Sequence, residues 1–219
     1  TLLKISSTVI AEAWKKNDIK AIDENYHKSC LNQFIIAAFL FGGIWINIDN
    51  IIIILGSQYH SGKWVIFFIG LGFLIDMGTG TNGIIIILSK YYKVSLLFLL
   101  VMLVTVFLSM YLLIPIWGIT GAAVAIAIAF LVNNFMRWLF LKVKFRMQPF
   151  SFVFIKVLAV FFVAFLLSML IPHLNLIMDI FVRSSVFTLI FGLLSYFFNV
   201  SKEINNILHD ILNRFNFKN

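Results

Sequence analysis

From residue 94 to residue 114 the chain reads VSLLFLLVMLVTVFLSMYLLI, without a single charge. A helix needs about 20 apolar residues to cross roughly 30 Å of hydrocarbon, and this run supplies them. Comparable runs occupy 64–89, 117–141, 152–171 and 177–199, and a shorter one covers 31–46 before the polar cluster Asn47, Asp49, Asn50. The stretch 51–55 is too short to cross and is expected at the far surface. None of the runs alternates with period two, so a barrel is excluded and helices remain. The apolar fraction of 62% against 12% charged leaves a soluble domain no interior large enough to hide it. The expected fold class is therefore all-α, a polytopic transmembrane bundle of about six spans over 31–199. Residues 1–30 read as the end of an earlier helix and a connector, and 200–219 as a tail.

The charges sort by side. Numbering the loops in order puts all 17 lysines and arginines on one face except Lys63 and Arg183. The positive-inside rule then places both ends in the cytoplasm. The net charge of +8 is topogenic on this reading, which removes nucleic acid as a partner. The segment 11–28 reads as a cytoplasmic connector, with Ile19, Ile22 and Tyr26 at helical spacing. In the tail, Ile204, Ile207, Leu208, Ile211, Leu212 and Phe215 form one apolar stripe behind Ser201, a candidate N-cap. That pattern predicts a helix lying on the inner leaflet. The chain opens on Thr1 in mid-pattern, and is expected to be the later part of a longer protein.

The chemistry concentrates in the run 64–89. Asp76 lies roughly 18 Å along the helix from Trp64. A carboxylate there costs about 2.5–3.5 kcal/mol on insertion scales and usually faces a bundle interior or a wet cavity. Gly72, Asp76, Gly80 and Gly83 share one face, where small residues admit a neighbouring helix or a ligand. The glycines also predict a kink or unwound stretch near 77–83. Asp76, Thr79 and Asn82 are the candidate lining of a substrate or ion path. In the next-but-one run, Gly118, Ala122, Ala125, Ala129, Asn133 and Arg137 fall on a second stripe. Its small end, with Gly121, is a packing face. Asn133 and Arg137 at its polar end are candidate contacts for a phosphate-bearing headgroup, against the plainer reading of Arg137 as a topogenic cation. His27, His60, His173 and His209 are far apart, and Cys30 is the only cysteine, so the sequence offers no metal site, no internal disulfide and no cofactor. It also offers no catalytic triad, carboxylate pair or phosphate loop, so no catalytic residue is assigned and an enzyme is not expected.

Three stretches carry a family resemblance. LIPIWGITGAAVA at 113–125 resembles the helix-turn-helix junction of polysaccharide flippases, in the MATE-like multidrug, oligosaccharidyl-lipid and polysaccharide exporter superfamily. GLGFLIDMGTGTNGIIIILS at 70–89 is similar to the preceding helix of O-antigen and lipopolysaccharide flippases. IAEAWKKNDIKAI at 10–22 resembles a cytoplasmic loop of the same proteins. The resemblance covers roughly residues 7–150. It implies a two-lobed transporter of 12–14 helices, of which this chain would be most of the C-terminal lobe. It also implies a bacterial inner-membrane location and a lipid-linked oligosaccharide as substrate. The partners implied are membrane lipid and, as companions, a glycan polymerase and glycosyltransferases. A cation-coupled multidrug exporter using Asp76 as its ion site is the nearest alternative. A membrane enzyme of glycan assembly is the alternative outside the class, and the short outer loops count against it.

Overall fold

Leucine, isoleucine, valine and phenylalanine in unbroken runs leave a backbone in hydrocarbon one solution, the helix. The computed structural model describes residues 2–172, 174–201 and 205–206, and among them every regular element is helical. These are α1 (Leu2–Lys15), α2 (Ile19–Ile46), α3 (Ile48–Leu55), α4 (Gly62–Thr79), α5 (Asn82–Leu88), α6 (Tyr92–Phe145), α7 (Phe152–Met169) and α8 (Leu176–Phe197). Five of them, α2, α4, α6, α7 and α8, are long and apolar enough to cross a membrane. The chain is a polytopic all-α membrane protein. The tail residues Ile204, Ile207, Leu208, Ile211, Leu212 and Phe215, like His173 and His209, lie outside the described residues.

The 54-residue α6 is not one rod. At Gly118 the backbone takes φ 56°, ψ −133°, a conformation that glycine alone adopts cheaply. Phe98 and Phe140 stack edge to face with ring centroids 5.9 Å apart. On a straight helix they would stand about 63 Å apart. A Cβ placed on Gly121 would run into the carbonyl of Leu113. α6 is therefore a hairpin whose arms, 92–117 and 119–145, fold back about Gly118. Each arm is long enough to cross, which gives six apolar crossing-length segments. Pro115 sits just before the bend, inside the last turn of the first arm.

The kink expected near 77–83 is a full break in the run 64–89. α4 ends at Thr79, Gly80 adopts φ 56°, and α5 begins at Asn82. A side chain on Gly80 would meet the Sγ of Cys30 at 2.7 Å, so α2 passes directly over the break. The connector expected over 11–28 is also redrawn. α1 stops at Lys15, Asn17 turns through φ 54°, and Asp18 Oδ1 accepts the Ala21 N–H at 3.0 Å, capping α2. From there α2 runs unbroken to Ile46, so the first span starts well before residue 31. Ile22, Tyr26 and Cys30 are buried on one face, while Lys20, Glu24 and Lys28 are exposed. A hydropathy average cancels these two faces, which is why the early turns look like a loop.

The chain divides into two units. The first comprises the residues through Ala37 and Leu55–Phe150, and the second Ala38–Ile54 with the chain from Ser151 onward. In the first, Ile10, Ile22, Tyr26, Ile85, Ile86, Ala125, Ala129 and Leu141 form the core, and the Trp14 indole donates to the Ile85 carbonyl at 3.2 Å. In the second, Phe39, Phe187 and Phe191 stack around one another within 5.8 Å. Gly42 leaves room there for Phe187 and Phe161.

Arg183 belongs to this second unit and is not the surface cation that loop counting suggests. Its Nε donates to Asp179 Oδ2 at 2.7 Å, and both residues are buried. Asn50 Nδ2 also donates to Oδ2, at 2.6 Å, while the Leu174 N–H donates to Oδ1 at 3.2 Å. Arg183 Nη2 donates to the Ile171 carbonyl at 2.8 Å. One carboxylate and one guanidinium thus fasten α3, the backbone at Ile171 and at Leu174, and the first turns of α8.

Candidate functional site: a polar cluster at a helix break

All members of the cluster lie in the first unit. An ionised carboxylate only accepts hydrogen bonds, so it orients any amide that meets it. Asn134, on the second arm of α6, points Nδ2 at Asp76 Oδ1 at 2.8 Å. The same nitrogen donates to the Phe130 carbonyl at 3.0 Å. The amide oxygen is thereby turned the other way. There it accepts from Thr79 Oγ1 at 2.7 Å and from Asn82 Nδ2 at 3.0 Å. Thr79, Asn82 and Asn134 are buried, and Asp76 is half-buried. One asparagine therefore joins the last turn of α4 to the first residue of α5 across the break at Gly80. Among the described residues nothing donates to the second oxygen of Asp76.

The predicted lining residues Asp76, Thr79 and Asn82 are thus brought together. Sequence reasoning missed the residue that joins them. The available signal was an asparagine pair, Asn133–Asn134, inside a run otherwise free of amides, and only its first member lay on the small-residue stripe. Asn133 is buried too, with no partner for its Oδ1.

Arg137 sits one turn beyond Asn134, within electrostatic range of Asp76. Its guanidinium lies over Gly83, where an added Cβ would come 2.9 Å from Nη1. Gly83 therefore leaves room between α5 and the second arm of α6 for that guanidinium. Arg137 Nε is buried with no hydrogen-bond partner. The other expected packing positions divide. A Cβ added at Gly72 would stand only 3.2 Å from the Ala127 Cα, so this glycine lets α4 lie close against the second arm of α6. Ala125 is fully buried and Ala122 half-buried, Gly121 abuts the Leu113 backbone, and Gly80 and Gly118 serve as bends.

The arrangement sets a carboxylate with one unused oxygen and a guanidinium with unused donors beside a discontinuous helix. It can accept from hydroxyls or bind a cation at one end and hold an anion at the other. The chain matches no family model, no curated protein and no solved structure.

Proposed function

We propose that the chain forms part of a transporter that moves lipid-linked oligosaccharide across the bacterial cytoplasmic membrane, with both of its ends on the cytoplasmic side. The observation carrying this reading is the intramembrane polar cluster built on the broken α4–α5 segment. Transporters place substrate sites at such discontinuous helices, because irregular backbone at membrane depth persists only in protein or beside water. The resemblance of 70–89 and 113–125 to polysaccharide flippases adds the substrate class. In this reading Asp76 accepts from sugar hydroxyls while Asn134, Thr79 and Asn82 hold it in place. Arg137 and Asn133 face the phosphate that joins glycan to lipid.

Deleting the gene is expected to leave lipid-linked glycan accumulating on the cytoplasmic face and to deplete surface glycan. Complementation with Asp76→Asn or Asn134→Leu should restore surface glycan about tenfold less well than the parent, in line with the roughly 1–2 kcal/mol that intramembrane hydrogen bonds contribute in model peptides. Normal surface glycan in the deletion strain overturns the proposal. Sodium- or pH-dependent drug efflux lost in Asp76→Asn would move the reading to a cation-coupled drug exporter.

A further inference from the structure

The open end of the α6 hairpin, opposite the bend at Gly118, gathers cations around aromatic rings. Tyr91 precedes the first arm and packs edge to face on Phe140 and Phe145 of the second, at 5.8 Å in both cases. The ammonium of Lys90 lies 5.3 Å from the Tyr91 ring centre and that of Lys144 lies 5.0 Å from it. Nearby on the second arm, Lys142 lies 4.8 Å from the ring centre of Trp138. Lys90, Lys142 and Lys144 are all exposed, and among the described residues no carboxylate pairs with any of them. Glu12, on α1, whose Trp14 reaches this end through Phe145, is already paired with Lys16 at 2.7 Å.

Two ammonium groups on one ring repel each other, and two unpaired cations converging on a phenol define a seat for an anion. The surroundings define its kind. Leu88, Tyr92, Val143 and Phe150 present exposed apolar surface beside the lysines, as expected where membrane helices emerge among headgroups. Lysines near that surface attract anionic lipid at about 1 kcal/mol each. We propose that Lys90, Lys144 and Tyr91 bind the phosphate of an anionic phospholipid headgroup, with Lys142 over Trp138 as the flanking cation. The lipid neutralises the open end of the hairpin and holds its two arms at one depth. This site is separate from the Asp76–Asn134 cluster and stands whether or not that cluster carries substrate.

The test is native mass spectrometry of the full-length protein, released from micelles containing equal phosphatidylglycerol and phosphatidylcholine. The parent is expected to retain phosphatidylglycerol preferentially. Lys90→Gln/Lys144→Gln should lower that preference roughly thirtyfold, and Lys90→Arg/Lys144→Arg should keep it. Lys28→Gln/Lys156→Gln removes the same charge from exposed positions on α2 and α7 and should leave it unchanged. Equal retention of the two lipids by the parent overturns the proposal. So does an equal loss in the Lys28/Lys156 variant, which would show a response to net charge alone. An acidic soluble protein that binds this end while lipid selectivity is absent overturns it as well. Circular dichroism of each variant, matching the parent, keeps a folding defect from passing as lost selectivity.

Discussion

Asp179→Ala is expected to lower the stability of the detergent-solubilised protein by about 3–5 kcal/mol, read as a fall in the unfolding midpoint. The substitution removes the acceptor for Arg183, Asn50 and the Leu174 N–H at once. Arg183 would remain buried, its charge uncompensated except by the Ile171 carbonyl. The larger part of the loss is that stranded guanidinium and not the value of the pair itself. The double variant Asp179→Leu/Arg183→Leu should therefore recover most of the midpoint, because apolar residues of similar volume replace both charges. A double variant as unstable as Asp179→Ala would contradict this and would place the cost in the loss of α8 and connection geometry instead.

Gly121→Val should cost about 3 kcal/mol, at the upper end of overpacking losses. The first atom of any side chain there collides with the Leu113 backbone, which has no rotamer through which to escape. The arms of α6 must separate near the bend, and the edge-to-face contact of Phe98 with Phe140 loosens with them. The same measurement on Gly192→Ala supplies the contrast. That glycine has nothing within 4 Å of an added Cβ, so the change should be neutral or slightly stabilising. Gly121→Val unfolding at the parental midpoint would mean that the hairpin is not closed as described.

What the sequence made readable was what a residue says about its own surroundings. Unbroken apolar runs fixed the crossing segments and Pro115 marked the end of the third, while Gly118, read as part of a packing stripe, is the bend itself. Gly78, Gly80 and Gly83 around Asp76 marked the discontinuity that became the α4–α5 break. What stayed hidden depended on partners far along the chain. Asn134 acts only because folding brings it to Asp76, Thr79 and Asn82, which lie 58, 55 and 52 residues away. Arg183 was sorted by loop position as a flanking cation, although Asp179 four residues earlier was the visible sign of a buried pair. The start of α2 was hidden for a different reason, because charged Lys20, Glu24 and Lys28 on its exposed face dilute the apolar face that carries Ile22 and Tyr26. Gly83 was legible as a small residue where helices meet, but which side chain fills the space above it, the Arg137 guanidinium, was not.

A transport path through the α4–α5 break requires water to reach the polar cluster there. That requirement is tested most directly by single-cysteine accessibility in the full-length protein with Cys30 replaced by serine. Asp76→Cys and Thr79→Cys, reconstituted in vesicles, are expected to react with a membrane-impermeant thiol reagent, while Leu103→Cys on the first arm of α6 does not. Asp76→Cys and Thr79→Cys as unreactive as Leu103→Cys, in protein that remains folded, would make the cluster a packing device and remove it from any transport path.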